Sequence, residues 1–317
     1  MINAQSLTMR YGATLALDQA TFQVKQGEVA GLLGPNGAGK STSMKILTTF
    51  LSPSSGTAQV AGLDIRREPR AVRQLIGYLP ENLPLYLDME AAEYLGFVAT
   101  ARGLTGGVLA KRLDWVREKC GLLPVWRSPI RQLSKGYRQR VSLAQALVHD
   151  PRVIILDEPT TGLDPHQILE IRSLIRDLAR NRTILLSTHI LQEAEALADR
   201  IIIIHQGRIA GQGSREELRR QLGPLSRVRL DIRRPRAEVE KALSTLAGVE
   251  RIEFTSEADG VSCFTLFGPV EEALIHQAWE MARQHDWELS RLTPLPFTLE
   301  ETFLQLTRPV DKEKQVG

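Results

Sequence analysis

"GPNGAGKST", residues 34–42, decides how the rest of this chain is read. It fits G-x-x-x-x-G-K-[ST] at Gly34, Gly39, Lys40 and Ser41. Glycines let consecutive backbone N–H groups turn inward around phosphate oxygens, and the dipole of a following helix adds positive potential. Lys40 would reach the β- and γ-phosphates, and the Ser41 hydroxyl would ligate Mg2+. The plain alternative is a flexible glycine loop ahead of a helix. The flanks argue against it. "EVAGLLG" (28–34) reads as a buried strand that stops at glycines, and "KSTSMKILTTF" (40–50) reads as a helix.

Two further apolar runs extend this pattern. "VIILDEPT" (153–160) is a buried strand that delivers Asp157 at its carboxyl end, where ligands collect in open α/β sheets. Asp157 suits a Mg2+ ligand, and Glu158 suits a base that polarises an attacking water. Alone, an Asp-Glu pair after a strand is a common loop feature; beside a phosphate loop the catalytic reading is favoured. "TILLSTH" (183–189) is another strand, and between the two "PHQILEIRSLIRDLARN" (165–181) has helical spacing of Ile168, Ile171, Leu174, Ile175 and Leu178. Strand, helix, strand predicts a parallel sheet with helices packed on it.

Residues 90–150 differ. "EAAEYLGFVATARG", "VLAKRLDWVREKCG" and "KGYRQRVSLAQALVHD" read as three helices with no strand between, a helical insertion in the α/β core. In "LSKGYRQRVSLAQAL" (133–147), Ser134 sits at an N-cap with Gly136 close behind. Such a helix start can bind an anion, although spacing alone gives only a capped helix.

The totals bound the rest. At 317 residues the chain holds two domains at about 150 residues each. With 43% apolar and 24% charged residues the composition is globular, and a net charge of +3 argues against a dedicated nucleic-acid binder. Cys120 and Cys263 lack metal-like spacing and are expected to be buried, reduced thiols. "MINAQSLTMRYG" has no basic start followed by an apolar run, so no secretory signal is expected. The most apolar runs, 153–156 and 201–204, fall far short of the ~20 residues that cross a bilayer.

Near residue 222 "LGPLSRVRLDIRRPR" brings two prolines and five arginines, a domain boundary. A cassette over 1–222, with its helical part at about 88–150, is expected to precede a small α+β domain over 223–317. In the second domain "RVRLDIR" (227–233) alternates arginines with Val228, Leu230 and Ile232, so the arginines are expected on a solvated outer face. The tail "DKEKQVG" (311–317) is expected to be disordered.

The order GPNGAGKST, LSKGYRQR, LDEPTTGLD and STH resembles the nucleotide-binding subunits of ABC transporters over about residues 2–220. "LSKGY" departs from the commoner LSGGQ but keeps Ser134 and Gly136. The resemblance implies an α/β fold of the P-loop NTPase ABC-cassette type: a RecA-like parallel-sheet core, an N-terminal antiparallel β part and a helical insertion. It implies ATP and Mg2+, bound twice between two head-to-tail copies. The nucleotide would be held by Gly34, Pro35, Asn36, Gly37, Ala38, Gly39, Lys40, Ser41 and Thr42. Ser134, Lys135 and Gly136 of one copy would complete the site of the other, and Asp164 would run along the seam. Lys40, Glu158 and His189 would be catalytic, with His189 contacting the γ-phosphate. Tyr11, in "MRYGATLALD", would stack on adenine.

In "IGYLPENLPLY" (76–86), Glu81 falls where the family usually has a glutamine that touches Mg2+ and the attacking water. Glutamate keeps the oxygen and adds a charge, which Mg2+ accepts readily. Repulsion from Glu158 favours the other reading, a solvated loop carboxylate. On this resemblance Ser41, Glu81 and Asp157 are the metal ligands. The stretch 76–95 and the ending "LPFTLEETFLQLTR" resemble the bacterial export branch of gliding motility, multidrug efflux and copper-enzyme maturation. That implies an ATPase peripheral on the inner face of the cell membrane, in the cytoplasm. Its partners would be a polytopic permease and a second copy of itself or a homologous cassette, with no nucleic acid. The alternative is a soluble ABC-type ATPase on ribosomes or DNA; such chains usually carry two cassettes or long coiled coils, and this one has neither. A regulatory cassette with a spoiled site is opposed by intact Lys40, Asp157, Glu158 and His189.

Overall fold

The structure is a computed structural model that describes residues 1–82, 84–221 and 226–307. The chain divides into two compact units, Met1–Arg215 and Glu216–Gly317. The sequence boundary at 222–223 and the tail 311–317 lie outside the described residues.

In the first unit the elements run β1 (Ile2–Tyr11), β2 (Thr14–Val24), β3 (Val29–Leu33), α1 (Lys40–Leu47), β4 (Ser55–Val60), β5 (Leu63–Asp64), α2 (Pro69–Leu75) and β6 (Ile76–Leu79). Three helices follow, α3 (Ala91–Ala101), α4 (Gly106–Lys119) and α5 (Lys135–Leu147), joined by short turns and one isolated bridge between Glu90 and Pro129. The unit continues with β7 (Val153–Asp157), α6 (Pro165–Ala179), β8 (Thr183–Thr188), α7 (Leu191–Leu197), β9 (Arg200–His205) and β10 (Arg208–Gly213); α8 (Arg215–Gln221) begins at its end.

Two sheets result. The smaller, β2-β1-β4-β5, is antiparallel. The larger, β10-β9-β3-β8-β7-β6, is parallel except for the β9–β10 edge hairpin. Strands β3, β7 and β8 are buried at every position because both faces are covered, which is why they read as unbroken apolar runs. Alternation survives in what each residue touches. Ile154, Leu156, Ile184 and Leu186 pack with the helices, whereas Val153, Ile155 and Leu185 pack with α1 and the antiparallel sheet. Each fully buried Ile or Leu contributes about 2 kcal/mol relative to exposure.

Helix starts are fixed locally. Glu90 and Glu93 form a capping box for α3, the Ser134 hydroxyl accepts from Tyr137 N at 3.3 Å, and Asp164 accepts from Gln167 N at 2.9 Å. Helix α1 has no side-chain cap and no acid in its first turn, as is also true of α2 and α4, but it alone of the three follows a left-handed glycine, Gly39 at φ +109°. Its first N–H groups are left for an anion.

The second unit runs β11 (Ser226–Ile232), α9 (Arg236–Leu243), β12 (Arg251–Ala258), β13 (Val261–Gly268), α10 (Glu271–Gln284), β14 (Leu289–Pro294) and α11 (Leu299–Thr307). Its sheet order is β12-β13-β11-β14, all antiparallel, the split βαβ arrangement. Leu230, Ile232, Phe264 and Leu266 face Val239, Leu243, Ala278 and Met281.

Two expectations are corrected here. Arg227 is not on a solvated face: it is buried, forks onto Glu301 at 2.7 and 2.8 Å and lies 3.9 Å over the Phe297 ring. A helix some seventy residues further along the chain covers it, which local alternation does not reveal. Both cysteines are free, but only Cys120 is buried, its thiol pushed up to about 12 by burial; Cys263 is half-buried on β13, with Arg229 3.8 Å from its sulfur. Among the described residues no helix is long and apolar enough to cross a membrane.

A candidate nucleotide site

The loop between β3 and α1 lies at the carboxyl end of the parallel sheet. Side chains are excluded from its base. A Cβ on Gly34 would meet Ile204 O at 2.3 Å, and one on Gly39 would meet Ala16 O at 2.8 Å. Only glycine fits at these two ends of the loop.

Lys40 opens α1 and turns back over this loop. Its Nζ donates to Gly34 O at 2.8 Å and Pro35 O at 3.3 Å, and it pairs with Glu158 Oε1 at 3.2 Å. The two side chains are 6% and 7% exposed. Glu158 follows β7, and its other oxygen lies 3.0 Å from His189 Nδ1, just beyond β8. Lys40, Glu158 and His189 thus form one chain of contacts drawn from the ends of three elements.

The backbone of Glu158 is held in the left-handed region at φ +50°. Its N–H donates to Ser187 Oγ at 2.9 Å, and that hydroxyl donates to Asp157 Oδ1 at 2.6 Å. Asp157, 2% exposed, is therefore oriented from behind by the strand it pairs with. Burial of Tyr78, and to a lesser extent the Asp157 charge, push the Tyr78 hydroxyl far above the usual tyrosine range.

These residues border a cavity of about 520 Å3, within the range of small-molecule sites. Pro35, Asn36, Gly37, Gly39, Lys40, Ser41 and Thr42 line one side, and Glu81, Glu158, Thr161 and His189 face them. The glutamate after β6 thus borders the same cavity as the phosphate loop. Gly34, Ala38 and Asp157 lie beneath rather than in the lining. Tyr11 stands exposed at the β1–β2 turn outside it, and Ala16 lines it instead.

Ser134, Lys135, Gly136 and Asp164 do not line their own chain's cavity. They are brought together elsewhere. A Cβ on Gly162 would collide with Lys135 Nζ, and one on Gly136 would lie 2.5 Å from the Gln167 side chain. The start of α5 is packed against the turn that carries Asp164.

Sequence reasoning missed Thr161, Ser187 and Ala16. Thr161 Oγ1 lies 3.5 Å from Glu158 Oε2. Ser187 had one available signal: parallel pairing sets it opposite Asp157.

The residues fit a nucleotide with Mg2+. Bare loop N–H groups, an uncapped helix start and a lysine suit phosphates. Among the described residues no group of three or more His, Cys, Asp or Glu surrounds a metal point. Mg2+ takes most of its ligands from waters and phosphates, so the Ser41 hydroxyl and one or two carboxylates suit it.

A family model described as ABC transporter matches residues 17–161. Nod factor export ATP-binding protein I of Ralstonia nicotianae is 34% identical over 314 residues, 97% of this chain and 94% of that protein. The daunorubicin/doxorubicin resistance ATP-binding protein DrrA of Streptomyces peucetius is 34% identical over 98% of this chain and 93% of its own length. Among solved structures, an ATP-binding subunit of an ABC transporter superposes with TM-score 0.65 at 33% identity, over 70% of this chain and 93% of that one. A dimeric ATP-binding cassette in a post-hydrolysis state with ADP and Pi superposes with TM-score 0.62 at 25% identity, over 68% and 98%.

Proposed function

This chain belongs to the ABC transporter family of ATP-binding proteins, and from that premise we propose how its residues perform ATP hydrolysis and what it drives. It is the ATPase subunit of an exporter, closing as a dimer around two Mg-ATP and powering a separate membrane permease. The observation that carries the reading is the single cavity shared by Lys40, Ser41, Glu81, Glu158 and His189.

The loop N–H groups and the start of α1 hold the phosphates, and Lys40 exchanges its contact with Glu158 for the β- and γ-oxygens. Ser41 with Glu81 and Asp157 would hold Mg2+, which would supply charge neutralisation at the phosphate oxygens when bound. Glu158, released from Lys40, accepts the proton of the attacking water as the bond between the γ-phosphorus and the bridging oxygen breaks. His189 positions the γ-phosphoryl group beside it. Ser134, Lys135 and Gly136 lie outside their own cavity, so they serve the second copy, with Asp164 along the seam. Tyr11 stacks on the adenine.

The permease docks beside Glu81. A few residues along the chain, Tyr86 is exposed with its ring 5.8 Å from that of exposed Phe97, apolar surface of the kind that marks a protein contact. Relatives named for Nod factor export and daunorubicin resistance support outward transport. The assembly sits on the inner face of the cell membrane, residues 1–222 form the cassette, and 223–317 form an accessory domain.

The test is affinity purification of the full chain from gently solubilised membranes. A stoichiometric polytopic membrane protein is the expected companion. Ribosomes or DNA without a membrane protein would overturn the transport reading.

A further inference from the structure

Glu193 is buried close to the site, and the mechanism above does not use it. It lies on α7 and is 2% exposed. Among the described residues it has no cationic partner. A buried carboxyl group is tolerated only when its oxygens are satisfied, and here two hydroxyls satisfy them. Thr160 Oγ1 donates to one oxygen, and Thr188 Oγ1 donates to the other at 2.8 Å. The Thr188 hydroxyl also accepts from Ile190 N at 3.0 Å, so its position is fixed on both sides.

The sequence positions of the two threonines give the arrangement its meaning. Thr160 follows Glu158 by two residues, and Thr188 precedes His189 by one. One side chain therefore joins the turn after β7 to the end of β8, the two segments whose tips carry the 3.0 Å contact between Glu158 and His189. The Ser187 hydroxyl ties the same two strands at the base, through Asp157 and the Glu158 N–H. Ser187 fixes where Glu158 begins, and Glu193 fixes the segments on either side of the reacting groups.

We infer that Glu193 is a positioning residue for hydrolysis: it clamps Thr160 and Thr188 so that Glu158 and His189 keep their relative placement when Lys40 leaves Glu158 for phosphate. This rests on the proposed function. Small misplacements of reacting groups are expensive in rate, so the effect belongs in kcat rather than in nucleotide affinity. A plain anchor for α7 would behave otherwise, lowering stability and the active fraction while leaving kcat per folded molecule alone.

The experiment uses the full chain with MgATP, and a fluorescent ATP analogue as the binding probe. Glu193→Ala is expected to lower kcat at least about tenfold with KM and analogue affinity within about threefold of wild type. Glu193→Gln keeps the shape and one acceptor, and is expected to recover part of the loss. Thr160→Val with Thr188→Val is expected to reproduce the alanine loss with Glu193 untouched. Thermal unfolding at the assay pH gives the folded fraction by which each rate is divided. Unchanged kcat in Glu193→Ala, a loss fully explained by folded fraction, or a parallel collapse of affinity overturns the inference. A wild-type chain without ATPase activity overturns the functional reading and the inference with it.

Discussion

Lys40 and Arg227 are both cations nine-tenths buried against a glutamate, one in each unit of the chain, and the two contacts are made differently. Lys40 meets Glu158 through one 3.2 Å contact and spends its other donors on the carbonyls of Gly34 and Pro35. Arg227 forks onto both oxygens of Glu301, donates to Pro296 O at 3.0 Å and stacks on Phe297. An ammonium is a point charge on a flexible stem and can change partners, whereas a planar guanidinium fork locks one geometry. The first pair sits at a cavity, and the proposed function has it exchanged. The second closes β11 against α11 and is built to stay.

The largest effect that would break this contrast is at the exchangeable pair. Glu158→Gln is expected to lower ATPase turnover about a hundredfold or more, since a positioned base contributes that much, with MgATP binding retained. Full turnover would mean that Glu158 only balances Lys40, as Glu301 balances Arg227. Glu81→Ala comes next. It is expected to lower turnover more than about tenfold with nucleotide binding nearly kept, as for a metal or water contact made in the reaction. An unchanged rate would remove Glu81 from the site.

The fixed pair is expected to show itself in stability. Arg227→Ala should lower the unfolding free energy by about 2 kcal/mol, less than for a fully buried pair because Glu301 is 40% exposed. Arg227→Lys should recover little, because a point charge cannot reproduce the fork; full recovery in denaturant unfolding would deny the distinction. The smallest effect is on pH. Arg227 holds the Glu301 carboxyl at about 2, below its ordinary 4.5, so its stabilisation is complete above about 4.5 and is lost as pH falls towards 2. After discounting for exposure this is about 1 kcal/mol, and Arg227→Ala should remove the larger part of it, leaving the share held by Thr298.

How legible this was in the sequence followed the range of the interactions. Strands β3, β7 and β8 were readable because burial on two faces leaves an unbroken apolar run. The cap at Ser134 was readable because a cap is made within three residues, whereas the cap that Asp164 makes to Gln167 N went unread. The surroundings of Arg227 were not, since Glu301 and Phe297 come from some seventy residues away. Glu193 was not singled out in the sequence, because the hydroxyls it accepts from, Thr160 and Thr188, come from two other segments. Ala16 shows the converse: nothing in the sequence marks it, yet it lines the cavity.

The left-handed backbone at Glu158 has a consequence for anyone engineering this chain. At φ +50° an ordinary side chain costs about 1 kcal/mol, and glycine, asparagine or aspartate fit the backbone better. A stability-guided redesign would be drawn towards those residues and would erase the proposed base while reporting an improvement. Alanine there would remove the contacts to Lys40 and His189 and the shape of the side chain together with its charge. Position 158 therefore has to be frozen before optimisation begins, and silenced with glutamine rather than alanine when an inactive control is wanted.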